Sequence, residues 1–137
     1  MNYAITNLTA VVDCDFLINM AKQERSDLDL RKINHEHAAD KFSGTAAEIE
    51  AIYQGVLSDL AFTEQYIQTL PEGVAKTEAL RRKKRLDIRK LTLETRRDTY
   101  GTVAYLEKQM DLARVQQEIA EVDAFISAVE VRKAALA

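Results

Sequence analysis

The tripeptide Pro71-Glu72-Gly73, near the middle of the 137-residue chain, is the feature that most constrains the fold. Proline cannot continue a helix, and glycine accepts the backbone turn that often follows one. Helical pattern fills nearly all of the sequence on both sides, with Gly44 and Gly101 at similar distances before and after the turn. A short loop between two helices makes them neighbours that run antiparallel. The sequence therefore predicts an all-α fold built as a long antiparallel helical hairpin.

The two glycines decide how many helices this coiled-coil-like bundle contains. Gly44 is followed by Thr45-Ala46-Ala47-Glu48, which has the spacing of a capping box at the start of a helix, whereas no such signal follows Gly101. We therefore expect three helices at about 8–42, 46–70 and 74–136, with a possible break at 101. If both glycines interrupt the chain, four segments could form a compact four-helix bundle. Either arrangement forms a single all-helical domain over residues 1–137.

Apolar residues at alternating spacings of three and four predict the faces on which the helices pack. One series is Ile49, Tyr53, Val56, Leu60, Ile67 and Leu70, and another is Leu112, Val115, Ile119, Val122, Ile126 and Val129. The segment 74–100 has two apolar faces, one with Leu86 and Leu93 and another with Ile88 and Leu91. We expect the middle residues of the two series, Leu60 and Ile119, to be buried.

The stretch Leu8–Ala21 is apolar almost all round, which is typical of a helix covered on every side. The following residues up to 41 are mostly polar, with Leu28, Leu30 and Ile33 as anchors. Either the chain folds back over the apolar stretch or a second chain covers it, and we expect a homodimer. The candidate interface consists of Val12, Phe16, Leu17 and Met20. Another helical protein could take the place of the second copy.

The net charge of −3 hides an asymmetry between the two halves. Residues 1–72 contain 12 acids and 5 bases, whereas residues 73–137 contain 10 acids and 14 bases. Opposite charges on the two arms favour pairing between them over binding of a polyanionic partner.

The basic run 81–97 carries nine bases against Asp87 and Glu94. Its candidate basic patch consists of Arg81, Arg82, Lys84, Arg85 and Arg89. Five consecutive bases wrap around a helix, and no aromatic residue within the run offers a stacking platform for nucleotide bases. The acidic helix opposite can supply partners. Reflection through the turn places Asp59 and Glu64 beside 81–85, and Glu48 and Glu50 beside Arg96 and Arg97. We expect a paired or solvated face, with a protein-binding surface as the next alternative and nucleic acid unlikely as a partner.

Residues that could carry chemistry are few. His35 and His37 point about 200° apart on a helix and cannot share a metal ion, and His37 with Asp40 supplies only two ligands. Cys14 lies among apolar residues, which predicts a buried and unreactive thiol. Glutamate and histidine nowhere have the spacing of a di-iron bundle. We therefore expect no metal, no cofactor and no catalytic residues.

No stretch approaches the ~18–20 apolar residues that span a bilayer, and no secretory signal is recognisable. The sequence predicts a cytoplasmic protein that does not enter a membrane. Its expected function is that of a non-enzymatic helical interaction or scaffold protein with an unknown partner. The alternative is a nucleic-acid-associated protein that uses residues 81–97.

Overall fold

The protein is all-α in the computed structural model, which describes residues 1–137. A short 3-10 turn, Ile5–Asn7, precedes three helices: α1 (Val11–Thr69), α2 (Val74–Tyr100) and α3 (Thr102–Leu136). The predicted fold class is confirmed, and the turn at Pro71–Gly73 is where the sequence placed it.

The residues group into two compact units. The terminal unit comprises Met1–Ala38 and Gln109–Ala137, and the turn unit comprises Ala39–Lys108. In each unit α1 runs antiparallel to the chain that returns from the turn. Arg25 pairs with Asp123 in the terminal unit, and Glu64 pairs with Lys83 in the turn unit. A single domain over the whole chain stays a prediction.

The predicted helix break at Gly44 is wrong, because α1 continues through it. Ala39 and Ala46 are buried on either side of Gly44, so an unbroken helix keeps one packed face. The Thr45 hydroxyl donates to the Lys41 carbonyl oxygen at 3.0 Å, one turn back, rather than capping a new helix. A glycine inside a helix costs about 1 kcal/mol relative to alanine, whereas a break here would interrupt the packed face.

The chain breaks instead at Gly101, so the predicted continuous helix over 74–136 is also wrong. Gly101 has extended backbone angles, φ −85° and ψ −158°, and its amide donates to the Arg97 carbonyl oxygen at 2.8 Å. A Cβ atom on this residue would lie 2.2 Å from the same oxygen. Only glycine fits at this position without moving the backbone.

The apolar pattern shifts by one residue along the returning arm. In α2 the inward positions alternate at spacings of three and four through Leu86 and Leu93. Continued without interruption, that alternation passes through Ala104, which is buried, and would then turn Arg114, Glu118 and Glu121 inward. The buried or half-buried residues of α3 lie one position later, at Val115, Ile119 and Val122. The shift therefore falls within α3, between Ala104 and Val115, and not at Gly101.

Each unit has its own core. In the turn unit, Tyr53, Val56 and Leu60 of α1 pack with Leu93 of α2. The terminal unit contains two clusters, one of Cys14, Ile18 and Val129 and another of Leu28, Val115 and Ile119. The predicted burial of Leu60 and Ile119 is confirmed, and Cys14 is a free, fully buried thiol, as its apolar surroundings indicated.

The N-terminal residues cover part of the apolar stretch that begins at Leu8. Ile5 and Leu8 pack against the cluster around Cys14. The Arg132 guanidinium of α3 holds them there, since it donates to the carbonyl oxygens of Thr6 at 3.2 Å and Leu8 at 2.8 Å. The chain therefore covers one side of this stretch with its own residues.

The other side of α1 in the terminal unit is open. Leu28 is buried as predicted, but Leu30 and Ile33 are 65% and 50% exposed and do not anchor the helix. They lie on the outward face because α1 packs through every third or fourth residue, from Cys14 through Ile18 to Leu28.

Candidate binding groove beside the turn

Four bases of α2 recur every seven residues, at Lys76, Lys83, Lys90 and Arg97, and each reaches an acidic partner. Lys76 pairs with Glu72 at 2.8 Å, Lys83 with Glu64 at 3.8 Å, Lys90 with Glu94 at 3.8 Å and Arg97 with Glu50 at 3.3 Å. Of the four acids that the sequence predicted beside the basic run, Glu50 and Glu64 form ion pairs with it, whereas Glu48 and Asp59 do not. Lys83 and Arg97 join α2 to α1, whereas Lys76 and Lys90 pair with acids four residues away along the chain.

Two contacts tie the basic run to the core of the turn unit. The Arg97 guanidinium lies 4.8 Å from the centre of the Tyr53 ring, a cation–π geometry. The Tyr53 hydroxyl donates to a Glu94 carboxylate oxygen at 3.0 Å. At the turn, a hydrogen bond from Lys76 and the charge of that ammonium lower the pKa of Glu72. The contacts of Lys83, Glu94 and Arg97 with α1 therefore help to align α1 with α2.

The remaining bases of the run are solvent-exposed and form no ion pair. They are Arg81, Arg82, Lys84, Arg85, Arg89 and Arg96, and they include all five residues of the predicted basic patch. The structure divides them between two sides of the helix. Arg82, Arg85, Arg89 and Arg96 share one side because of their spacing, and we call these four the arginine row. Lys84 lies on another side, and Arg81, one turn before Arg85, lies between the two.

The arginine row begins at a groove of about 740 Å³ between α1 and α2. Phe62, Thr63 and Tyr66 come from α1, whereas Val74, Ala75, Glu78, Ala79, Arg82 and Arg85 come from α2. Thr63 and Ala79 are buried and form the base of the groove. The Thr63 hydroxyl donates to the Asp59 carbonyl oxygen at 2.7 Å, so its polar atom is satisfied within the helix.

Two aromatic side chains form the α1 wall of the groove. Phe62 and Tyr66 are 67% and 48% exposed, and their rings lie 6.3 Å apart with only 4° between the planes. Two parallel exposed rings opposite two unpaired arginines provide apolar flat surfaces and positive charge in one place. The groove can accept a planar group that carries a negative charge.

Sequence reasoning missed this groove, because it searched for aromatic residues only inside the basic run. The aromatic wall comes from a different helix. A signal was present: Phe62 and Tyr66 fall outside the apolar series that contains Tyr53, Leu60 and Ile67. Large aromatic residues away from the packing face are expected to be exposed.

The predicted interface in the terminal unit is mostly at the surface. Val12, Phe16 and Met20 are 76%, 68% and 52% exposed. Leu17 is half-buried and packs against the Cys14 cluster instead. The structure thus leaves three of the four candidate residues available to a partner.

A second depression in the terminal unit, of about 260 Å³, lies beside the N-terminal residues. Tyr3 packs edge-on against Phe125, with ring centres 5.0 Å apart. Its hydroxyl donates to a Glu121 carboxylate, and this hydrogen bond raises the pKa of Tyr3. Met20 lines the same depression. These contacts hold the N-terminal segment in place.

The histidines belong to no cluster of metal-ligating side chains. His35 is half-buried and His37 is exposed, and nowhere do three His, Cys, Asp or Glu residues come together in the geometry of a metal site. The helices also lack any segment with the length and hydropathy that a bilayer crossing requires.

Comparisons with known proteins add no relative: no family model, no curated protein and no solved structure matches this chain. Function must therefore be argued from the surfaces themselves.

Proposed function

We propose that this protein is a non-enzymatic helical scaffold that forms a homodimer through the outward face of α1 in the terminal unit. Val12, Phe16, Leu30 and Ile33 are each at least half exposed there. Between them on the same face lie Asn19, Gln23 and Ser26, so the face carries no charged side chain over 12–33. Uncharged helical faces of this kind pack against other helices.

The observation that carries the proposal is the symmetry of this face. Apolar residues stand at both ends, and small or neutral polar residues stand in the middle, with Gln23 at the centre. A two-fold axis near Gln23 brings Val12 and Phe16 of one copy to Leu30 and Ile33 of the other. Homodimer interfaces are self-complementary in this way, because each contact occurs twice.

The positions of the charged residues around the face are also consistent with a dimer interface. Positions bordering the face carry acids and bases, among them Asp13, Lys22, Asp27 and Asp29, whereas the face itself carries none. A charged rim around an apolar centre is the usual anatomy of a protein interface. A cytoplasmic location forms part of the proposal.

Sedimentation equilibrium at micromolar concentration tests the proposal. We expect the unmodified chain to be a dimer, and Phe16→Glu with Ile33→Glu to raise the dimer dissociation constant at least about tenfold. The matched control is Val131→Glu, since Val131 is 72% exposed on the outward face of α3. A monomer at all concentrations, or equal weakening by the control, would contradict the proposal.

A further inference from the structure

We infer that the groove beside the turn binds a single-stranded nucleic acid, with bases on Phe62 and Tyr66 and phosphates on the arginine row. This site is separate from the proposed dimer face, because every residue that lines it belongs to the turn unit.

The arginine row has no ion-pair partner within the chain, although Glu78 lies in the groove one turn before Arg82. Whereas Lys76, Lys83, Lys90 and Arg97 are neutralised by acids, the four arginines of the row form no ion pair. Four like charges on one side of a helix repel one another, and a bound polyanion removes that repulsion. The row is made of arginine alone, which suits phosphate, because the planar guanidinium can donate two hydrogen bonds to it.

The geometry favours a single strand over a duplex. Arg82, Arg85 and Arg89 are separated by three and four residues, which is about 4.5 to 6 Å along the helix at a rise of 1.5 Å per residue. These steps suit successive phosphates of one strand. The aromatic rings at the start of the row offer stacking surfaces that accept any base, but only an unpaired base has a free face.

The two exposed rings favour a nucleic-acid strand over an acidic peptide as the ligand of this groove. An acidic peptide would use the arginines and gain little from two parallel exposed rings. A nucleic-acid strand uses both, since every nucleotide carries a phosphate and a planar base. Glu78 also lines the groove and forms no ion pair. Its carboxylate opposes a bound phosphate, so Glu78→Gln should strengthen binding.

The test is fluorescence anisotropy with labelled oligothymidine and oligouridine of about 12 nucleotides, within the site size of small single-strand binders. We expect binding at about 50 mM salt that weakens at about 150 mM salt. Phe62→Leu with Tyr66→Leu keeps apolar surface but removes the rings, and it should weaken binding at least about fivefold. Because both residues are exposed, the helical circular dichroism should not change.

The arginines are tested against a control with the same loss of charge. Arg82→Ser with Arg85→Ser removes two groove bases and should weaken binding at least about fivefold while lowering the salt slope by about 1.4. Lys41→Ser with Lys84→Ser removes two exposed bases of the turn unit that lie off the arginine row and should weaken binding less than about twofold.

Three results would overturn the inference. The first is no binding of either oligonucleotide at about 50 mM salt. The second is equal weakening by the two charge-removing double variants, which would show a diffuse polyanion effect. The third is competition by polyglutamate or by duplex DNA as strong as that by unlabelled single strand. Since none of these variants touches the α1 outward face, the result is independent of self-association.

Discussion

At the scale of single residues, Gly44 and Gly101 show how one residue type takes two roles. Gly44 lies inside α1, and a Cβ there would meet nothing within 4 Å. Gly101 sits where the backbone passes so close to Arg97 that a side chain cannot fit. The capping box after Gly44 is a local signal, and it is overridden by a packed face that runs past it.

Alanine at each glycine should therefore have opposite effects. Gly44→Ala is expected to raise the free energy of unfolding by about 0.5–1 kcal/mol, because alanine loses less backbone entropy in a helix. Gly101→Ala should lower it by about 1–3 kcal/mol, since the methyl group collides with the Arg97 carbonyl oxygen. Urea denaturation followed by circular dichroism measures both. Equal effects of the two substitutions would show that Gly101 is not a true break.

At the scale of helices, α2 has two kinds of surface. Its inward positions carry Leu86 and Leu93 between paired bases, and the bases cover the core with their aliphatic stems. Its outward positions carry the unpaired arginines together with exposed Ile88 and Leu91. The sequence predicted two apolar faces on this helix, and only the face with Leu93 is buried.

Replacing one leucine on each face by alanine distinguishes the buried face of α2 from its exposed face. Leu93→Ala should cost about 2–5 kcal/mol of unfolding free energy, because Leu93 is 5% exposed and its loss leaves a cavity beside Tyr53. Leu91→Ala should change it by less than about 0.5 kcal/mol, since Leu91 is 64% exposed. Denaturant melts of the two variants give the comparison. A larger cost at Leu91 than at Leu93 would mean that the register of α2 is wrong.

Arg132 of α3 holds the end of the N-terminal segment next to α1. Arg132 donates to the Thr6 and Leu8 carbonyl oxygens, and the Leu8 amide is bonded to the Ile5 carbonyl oxygen at 3.0 Å. Arg132→Ala should therefore speed hydrogen exchange at the Leu8 amide. Arg114→Ala, which removes an exposed arginine of the same helix, should leave that exchange unchanged. Unaltered exchange in the Arg132 variant would show that the apolar packing and the contacts of Tyr3 hold the segment without Arg132.

At the scale of the whole molecule, the sequence predicted the fold class, the turn and the packed positions such as Leu60 and Ile119. Periodicity carries this information directly, because packing repeats along each helix. The break at Gly101 had no comparable signal in the sequence, because no capping box follows that glycine and the one-residue shift of the apolar pattern falls later, between Ala104 and Val115.

The groove beside the turn could not be predicted in the same way. Phe62 and Arg82 lie on different helices, and whether they meet depends on the register between α1 and α2. That register is set by many weak contacts, among them Glu64 with Lys83 and Glu50 with Arg97. Each exposed ion pair contributes only ~0–1 kcal/mol. The register between α1 and α2 therefore cannot be predicted from any single pair.

The self-association of α1 is the central claim, and cross-linking at its proposed symmetry axis tests it most directly. In the proposed dimer, a Gln23→Cys variant places two thiols beside each other across the two-fold axis, whereas native Cys14 stays fully buried. Mild oxidation should convert most of this variant into a disulfide-linked dimer, since the Cα atoms there can approach within the ~4.4–6.8 Å that a disulfide needs. Gln117→Cys, on the outward face of α3, is the control and should stay monomeric on a non-reducing gel. Cross-linking at Gln117 equal to that at Gln23, or none at Gln23, would contradict the account.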